Sequence, residues 1–153
     1  MGFGVYLVPN EGTRQKAVWG RAEPLKADGK VIAAQGNRAG PFVADWDGDG
    51  KLDLILGSGS GSVVWYRNTG TTRKPQLTLA GTLVEACAEA APTSAAAAGK
   101  PTRSGGQAKV CVADWNGDGR PDLIVGDDNN VGDNTFKGWL WVYLRKGTTG
   151  LSP

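Results

Sequence analysis

The sequence has no histidine and no long hydrophobic run. Without imidazole, it lacks the commonest general base, the commonest protein ligand for zinc, and every catalytic triad that needs histidine. No apolar stretch approaches the roughly 18 residues that cross a bilayer, so we expect no membrane-spanning segment. The N-terminal residues MGFGVYLVPN lack the basic and apolar regions of a signal peptide. If the protein is exported, its signal has been removed or lies outside this chain.

Signals for helices are also scarce. No segment has a sustained apolar period of 3.6 residues with capping residues at its ends, which predicts little or no helix. The 24 glycines, six tryptophans and short alternating apolar runs are typical of an all-β protein with tight turns. The one helix-prone composition, EACAEAAPTSAAAA at 85–98, is interrupted by Pro92. We therefore predict an Ala/Gly-rich inserted loop over 85–107.

Charge is distributed unevenly between acids and bases. The net charge is +2 and the Lys and Arg residues are scattered, which predicts no nucleic-acid partner. Seven of the fifteen acids, by contrast, lie in two short segments, 44–57 and 113–126. Basic residues recur near equivalent turns, and we interpret them as a solvated rim: Arg67, Arg73, Lys74, Arg145 and Lys146.

Cysteine is nearly absent. Cys87 and Cys111 permit one disulfide but do not establish it. Cys111 lies in the alternating pattern KVCVADW, where a buried free thiol is the simpler interpretation.

A repeated strand indicates that the chain is built from similar units. Three segments carry an aromatic-aliphatic strand that ends in a polar Gly-Thr turn: VYLVPNEGT from Val5, VVWYRNTGT from Val63 and LWVYLRKGT from Leu140. The two acidic segments, ADWDGDGKLDLILG and ADWNGDGRPDLIVG, lie between successive copies. Self-similarity at this spacing is typical of repeat architectures.

The central unit divides into four predicted strands, at 41–46, 52–57, 62–68 and 75–81. A four-stranded antiparallel sheet repeated about an axis is a blade of a β-propeller. We therefore predict an all-β fold with about two blades, as a single propeller segment over 1–153. Its predicted parts are the end of one blade at 1–40, a complete blade at 41–84, the inserted loop at 85–107, and three strands of the next blade at 108–150.

About two blades are too few for a closed propeller, which usually has four to eight. Sheet edges and blade faces would be exposed if the chain stood alone. We expect either the rest of a larger propeller or self-association, in which other copies complete a ring or filament head to tail. The sequence leaves both open.

The first acidic segment has the pattern of a metal-binding loop. Asp45, Asp47, Asp49 and Asp53 occupy positions 1, 3, 5 and 9, with glycines between them. Carboxylates this close raise each other's pKa unless a cation compensates them. Calcium takes six to eight oxygen ligands, and the Lys51 carbonyl at position 7 is a further candidate.

The second acidic segment repeats this pattern with one change. Asp114, Asp118 and Asp122 occupy positions 1, 5 and 9, Asn116 occupies position 3, and the Arg120 carbonyl occupies position 7. Because Asn offers a neutral oxygen, we expect weaker binding here by charge count. The sequence therefore predicts two Ca²⁺ sites.

Two other interpretations of the loops are an EF-hand and a simple hairpin turn. An EF-hand requires a bidentate Glu at position 12, where this chain has Leu56 and Val125 inside predicted strands, so a helix-loop-helix site is excluded. Simple hairpin turns at Asp-Gly and Asn-Gly remain an alternative. The shared Asp-x-(Asp/Asn)-x-Asp-x-x-x-Asp spacing favours a metal site.

The loops DWDGDGKLD and DWNGDGRPD, each followed by an aliphatic strand and a glycine, resemble the calcium loops of the FG-GAP/VCBS repeat family of β-propellers. The resemblance covers nearly the whole chain when flanking strands are counted. It implies calcium at the loop between the first and second strands of each blade. The Phe-Gly-Gly-Ala-Pro signature is missing, since the chain has AGPFVADW and QAKVCVADW, and this leaves the subfamily open.

The expected function is a calcium-binding extracellular or cell-surface module, non-catalytic, for adhesion or for binding a glycan or protein. The resemblance implies lectin or adhesion roles, and loops without the bidentate Glu suit surroundings rich in calcium. With no histidine and no nucleophile motif, we expect no enzyme. The alternatives are a structural block that self-assembles through blade completion and, less favoured, a non-catalytic domain of a larger secreted enzyme.

Ligand-binding residues are not assigned by the sequence. Aromatic side chains near polar loops suit sugar stacking, although strand alternation places most of them in packing: Trp65, Tyr66, Trp139, Trp141 and Tyr143. A second polar cluster is interpreted as a solvated loop, with a supplementary metal or ligand contact as the alternative: Asp127, Asp128, Asn129, Asn130 and Asp133.

Overall fold

The computed structural model describes residues 3–36, 38–86, 106–130, 136–147 and 150–152. The described residues contain strands and turns and no helix, which confirms the all-β prediction. The described part of the chain also has no helix that is long and apolar enough to cross a membrane. The strands are β1 (Phe3–Gly4), β2 (Tyr6–Leu7), β3 (Glu23–Pro24), β4 (Lys26–Ala27), β5 (Lys30–Val31), β6 (Ala33–Ala34), β7 (Ala39–Ala44), β8 (Asp53–Ser58), β9 (Val63–Asn68), β10 (Leu77–Val84), β11 (Lys109–Ala113), β12 (Asp122–Gly126), β13 (Asn129–Asn130), β14 (Phe136–Lys137), β15 (Leu140–Lys146) and β16 (Gly150–Ser152).

The first sheet has six strands in the order β5-β4-β10-β9-β8-β7. Strands β7 to β10 form an antiparallel meander, and they lie where the sequence predicted the four strands of a blade. The short β4–β5 hairpin joins the outer edge of this meander, where β4 pairs in parallel with β10. The sequence did not predict that addition.

The second sheet has the order β11-β12-β15-β16, and its first three strands repeat the register of β7, β8 and β9. A cross-strand row in the first sheet therefore has an equivalent row in the second: Phe42, Ile55 and Trp65 correspond to Cys111, Ile124 and Val142. The fourth strand, β16, adds to the three that the sequence predicted. A separate hairpin, β13–β14, lies in the longer connection before β15.

The N-terminal segment, residues 3–36, repeats the outer part of the first sheet. Asn10 Oδ1 accepts hydrogen bonds from the backbone N–H groups two and eight residues later, at 3.0 Å each. Asn68 Oδ1 does the same at 3.0 and 3.1 Å. In both turns the glycine two residues after the Asn is required, since a Cβ at Gly12 or Gly70 would lie 2.4 Å from a carbonyl oxygen. The turn chemistry is thus conserved within the chain at an offset of 58 residues.

The chain therefore stacks three layers, with the first sheet in the middle. One apolar cluster lies between the first and second sheets and includes Trp46, Ile55, Val63, Leu123 and Val125. A second cluster lies between the first sheet and the N-terminal segment, and its members are Val5, Ala27, Ile32, Ala34, Leu54 and Leu56. Because both faces of β8 are covered, every residue of that strand is buried. Burial of this apolar surface is the main stabilising contribution to the stack.

The two large sheets approach each other closely at β8 and the start of β11. The Ala108 N–H donates to the Ser58 carbonyl at 2.9 Å. A Cβ added at Gly57 would lie 2.4 Å from the Ala108 carbonyl oxygen, so this approach requires glycine. The contact fixes the innermost strand of the second sheet against the first.

Two predictions on the remaining segments have different outcomes. Most of the predicted inserted loop at 85–107 lies outside the described residues, as does Cys87. Cys111 is a free thiol, but it is exposed, so the prediction that it is buried was wrong. The reason is that described residues cover only one face of the second sheet, the face toward the first sheet. Cys111 lies on the opposite face.

Candidate metal centre

The first acidic loop connects β7 to β8 and is shaped by two glycines. Gly48 and Gly50 have φ angles of +78° and +82°, which side chains other than glycine rarely adopt. Open space surrounds both positions, so the backbone conformation alone requires glycine there. The turns they make bring the alternating aspartates to one side of the loop.

Three carboxylates meet in this loop. Asp45, Asp47 and Asp49 each offer an oxygen, and these oxygens all lie within 4.8 Å of one another. Asp45 is held by the backbone, because its two oxygens accept hydrogen bonds from the Gly48 and Gly50 N–H groups at 2.9 Å each. The structure therefore brings together the residues at positions 1, 3 and 5.

Two basic side chains compensate the charge of this cluster. The Arg67 guanidinium, from β9, forms ion pairs with Asp47 at 2.5 Å and with Asp49 at 3.2 Å. Lys51 Nζ lies 3.0 Å from Asp49 Oδ2, and its hydrogen bond is the main cause of the lowered pKa of Asp49. Asp47 in turn raises the pKa of Arg67. Arg67 is exposed, in agreement with the predicted solvated rim, and its pairing with the acidic loop is an additional role. No sequence pattern identified it, because β9 is brought beside the loop only by the fold.

Asp53 has a different environment from the other three aspartates. It is buried at the start of β8, and its oxygens accept hydrogen bonds from the Asn68 N–H at 2.7 Å and from Trp65 Nε1 at 3.0 Å. Burial raises the pKa of Asp53, and the two donors oppose that effect. The carboxylate thus ties the end of the loop to β9. Its role as a metal ligand stays a prediction, as does that of the Lys51 carbonyl.

The second loop, between β11 and β12, has nearly the same backbone. Gly117 and Gly119 again have positive φ angles, of +73° and +82°. Asp114 accepts hydrogen bonds from the Asp118 and Gly119 N–H groups at 3.0 and 2.9 Å. Asp122 is buried like Asp53, and accepts hydrogen bonds from the backbone of Trp115 and Arg145 at 3.0 and 2.8 Å.

The second loop differs at its polar tip. Asn116 Nδ2 donates to Asp118 at 2.9 Å and is the main cause of the lowered pKa of Asp118. Arg120 also pairs with Asp118, at 2.7 Å. The residue equivalent to Arg67 is Leu144, so the second loop has no counterpart of the Arg67 ion pairs. Among the described residues, only the first loop brings three acidic side chains within metal-binding distance. Roles for Asn116 and the Arg120 carbonyl stay predictions.

The tryptophans at position 2 of the two loops differ in burial. Trp46 is buried between the sheets, with the Arg145 guanidinium 4.6 Å from its ring centroid and donating to its carbonyl oxygen at 2.6 Å. Burial lowers the pKa of Arg145, which is therefore not a residue of a solvated rim. Trp115, at the same position of the second loop, is exposed.

The other candidate residues act mainly in packing. Trp65, Trp141 and Tyr143 belong to the cluster between the two large sheets, and Tyr66 packs against the N-terminal segment. Trp139 is half-buried. Strand alternation had predicted packing for most of these aromatics.

The second polar cluster is not simply a solvated loop. Asp127 is buried and accepts hydrogen bonds from the Trp139 N–H at 2.7 Å and from Trp141 Nε1 at 2.9 Å. Asp128 forms an ion pair with Arg38 at 3.7 Å. Asn129 and Asn130 form β13, and Asp133 lies outside the described residues. Asp127 therefore orders the connection between β12 and β15.

Repeated antiparallel sheets, with a glycine-shaped acidic loop between the first and second strands of each, define a β-propeller-like repeat module. The model of the FG-GAP-like repeat family matches residues 45–125, which is more than half of the chain and includes both acidic loops. The chain belongs to this family. Searches of the curated proteins and of the solved structures gave no match.

Proposed function

We propose that the chain is a calcium-binding module of an extracellular β-propeller, that it is non-catalytic, and that it acts in adhesion or in binding a glycan or protein. The observation that carries the calcium role is the meeting of Asp45, Asp47 and Asp49. Oxygens that share one calcium ion, at 2.3–2.6 Å each, lie at most about 5 Å apart. The 4.8 Å separation in the first loop fits that requirement.

Calcium would take over the charge compensation that Arg67 and Lys51 supply in this structure. Both basic side chains are long and partly exposed, so they can turn away toward solvent. In the first site the proposed ligands are Asp45, Asp47, Asp49, the Lys51 carbonyl and Asp53. In the second they are Asp114, Asn116, Asp118, the Arg120 carbonyl and Asp122.

Binding at these loops would stabilise the junction between the first two strands of each sheet. Asp53 and Asp122 already tie the loops to β9 and β15 through backbone N–H groups. An ion that holds positions 1, 3 and 5 therefore connects three strands of one sheet. A ligand that binds the native state alone raises its stability by mass action.

The extracellular and non-catalytic parts of the proposal rest on chemistry and composition. Loops without a bidentate Glu at position 12 suit the calcium levels outside cells, where modules bind with dissociation constants of about 10⁻⁴–10⁻³ M. Histidine is absent from the sequence, and the buried carboxylates Asp53, Asp122 and Asp127 are engaged by N–H donors. Such groups serve the scaffold, which supports a binding role.

Isothermal titration of the full chain with Ca²⁺ tests the proposal. We expect two sites in the wild type, loss of one in the double variant Asp47→Asn/Asp49→Asn, and loss of the other in Asp114→Asn/Asp118→Asn. Asp128→Asn removes a surface acid outside both loops and should keep both sites. Absence of saturable binding up to about 10 mM Ca²⁺, well above the range of extracellular modules, would overturn the calcium role.

The partner class is tested with arrays of glycans and of extracellular proteins, probed by the labelled chain in calcium and in chelator. Binding that depends on calcium is the expected result. Binding of equal strength in chelator would contradict a calcium-dependent module.

A further inference from the structure

The outer face of the second sheet carries apolar side chains whose equivalents in the first sheet are buried or partly buried. We define this trailing face by Cys111, Trp115, Ile124, Leu140 and Val142. The registers of the two sheets are the same, so Leu140 and Ile124 correspond to Val63 and Ile55. Val63 and Ile55 are fully buried, whereas Leu140 is 80% exposed and Ile124 is half-buried. Trp46 is 2% exposed and its equivalent, Trp115, is 63% exposed.

The cause of this difference is the neighbouring layer. The first sheet buries Trp46, Ile55 and Val63 because the second sheet packs over them with Leu123, Tyr143 and Ala108. The trailing face has the same register and similar residue types, but no described residues form a layer over it. Large exposed apolar patches mark interaction surfaces.

The N-terminal segment carries a second set of exposed apolar residues at the opposite end of the stack. We define this leading face by Tyr6, Val8 and Trp19. The strand pair β2–β3 repeats the register of β9–β10, since Tyr6 pairs with Pro24 as Val64 pairs with Thr82. At the offset of 58 residues, Val8 and Trp19 correspond to Tyr66 and Leu77, which pack toward the preceding layer. Tyr6 and Trp19 are 61% and 69% exposed.

Within the chain, successive layers contact each other in one way. The face of one layer that is equivalent to the trailing face packs on the face of the next layer that is equivalent to the leading face. Val5 of the N-terminal segment faces the first sheet, just as its equivalent, Val63, faces the second sheet. The exposed trailing face and the exposed leading face are therefore the two halves of the same kind of contact.

We propose that the trailing face of one chain docks on the leading face of a second copy, so that copies associate head to tail. Such a heterologous contact continues the layer order without a symmetry axis and leads to closed rings or open filaments. Trp115 takes the place at this contact that Trp46 takes between the two sheets. The inference does not depend on calcium binding, because none of the side chains that define the two faces is a proposed metal ligand.

Sedimentation velocity of the full chain tests the inference with two single-face variants. Trp115→Ser/Leu140→Ser disables the trailing face, and Tyr6→Ser/Trp19→Ser disables the leading face. Val31→Ser is the matched control, since Val31 is 50% exposed and lies on neither face. We expect concentration-dependent oligomers for the wild type and the control, and monomers of 15.9 kDa for each double variant.

Mixing the two double variants gives the decisive result. Each retains the face that the other lacks, so the mixture should form a one-to-one dimer that grows no further. A wild type that stays monomeric up to about millimolar concentration, where even weak specific contacts are populated, would overturn the proposal. So would oligomers that persist in both double variants, or a mixture that contains only monomers. Circular dichroism that matches the wild type establishes that the variants are folded.

Discussion

The two acidic loops share a sequence pattern, a backbone path and a pair of positive-φ glycines, yet they differ in what surrounds them. The first loop receives Arg67 from the third strand and buries Trp46 under the second sheet. The second has Leu144 in place of Arg67, and its Trp115 is exposed. The comparison shows that the pattern determines the shape of a loop, while neighbouring strands and layers determine its electrostatics and its burial.

The aspartate at position 9 of each loop should contribute most to stability. Asp53→Ala and Asp122→Ala should each lower the free energy of unfolding by about 2–5 kcal/mol, since two N–H donors that are buried or partly buried lose their acceptor at about 1–3 kcal/mol each. Urea denaturation of the metal-free chain measures the change. If one variant were destabilised and the other not, the two loops would not be anchored in the same way.

Arg145 of the second sheet contacts Trp46 of the first loop. Arg145→Ala removes the guanidinium from the Trp46 ring and carbonyl, at an expected loss of about 2–3 kcal/mol. Arg67→Ala is the control, because its guanidinium is a surface group and its loss should change stability much less. Equal losses in urea denaturation would contradict the assigned role of Arg145.

A smaller effect is expected from making the second loop more like the first. Asn116→Asp restores the fourth acidic side chain and should strengthen Ca²⁺ binding there by about tenfold. The measurement is calcium titration in the background of Asp47→Asn/Asp49→Asn, which leaves the second site alone. Unchanged affinity would show that charge count does not distinguish the loops.

The smallest effect is expected from exchanging the residue that distinguishes the third strands. Arg67→Leu should raise the calcium affinity of the first site by about fivefold, since the ion no longer competes with a surface ion pair. Leu144→Arg should lower the affinity of the second site by a similar factor. If both variants raised the calcium affinity of their sites, or both lowered it, an arginine on the third strand would not compete with the ion.

Much of this arrangement follows from local sequence. Alternation in VVWYRN predicts β9, and the glycines of DWDGDGKLD predict a tight loop with its aspartates on one side. The repeated turn of Asn10 and Asn68 is also visible in sequence, because the Asn, Gly, Thr and Lys recur at fixed offsets.

Other features depend on contacts between residues that are distant in the chain. Arg67 reaches the first loop because β9 pairs with β8, and Arg145 reaches Trp46 because one sheet packs on the other. The buried, hydrogen-bonded state of Asp53 likewise requires β9 to be in place. The β4–β5 hairpin is short and exposed for most of its length, so no apolar pattern marks its pairing with β10. Sequence periodicity reports local structure and one face of a sheet, and it does not report which partner covers that face.

Native mass spectrometry of the full chain in Ca²⁺ tests the proposal that both acidic loops hold calcium. We expect a mass increment of two calcium ions that disappears in chelator, and an increment of one ion in each loop-specific double variant. An unmodified mass in calcium, or the same adducts in a chain with both loops neutralised, would contradict it.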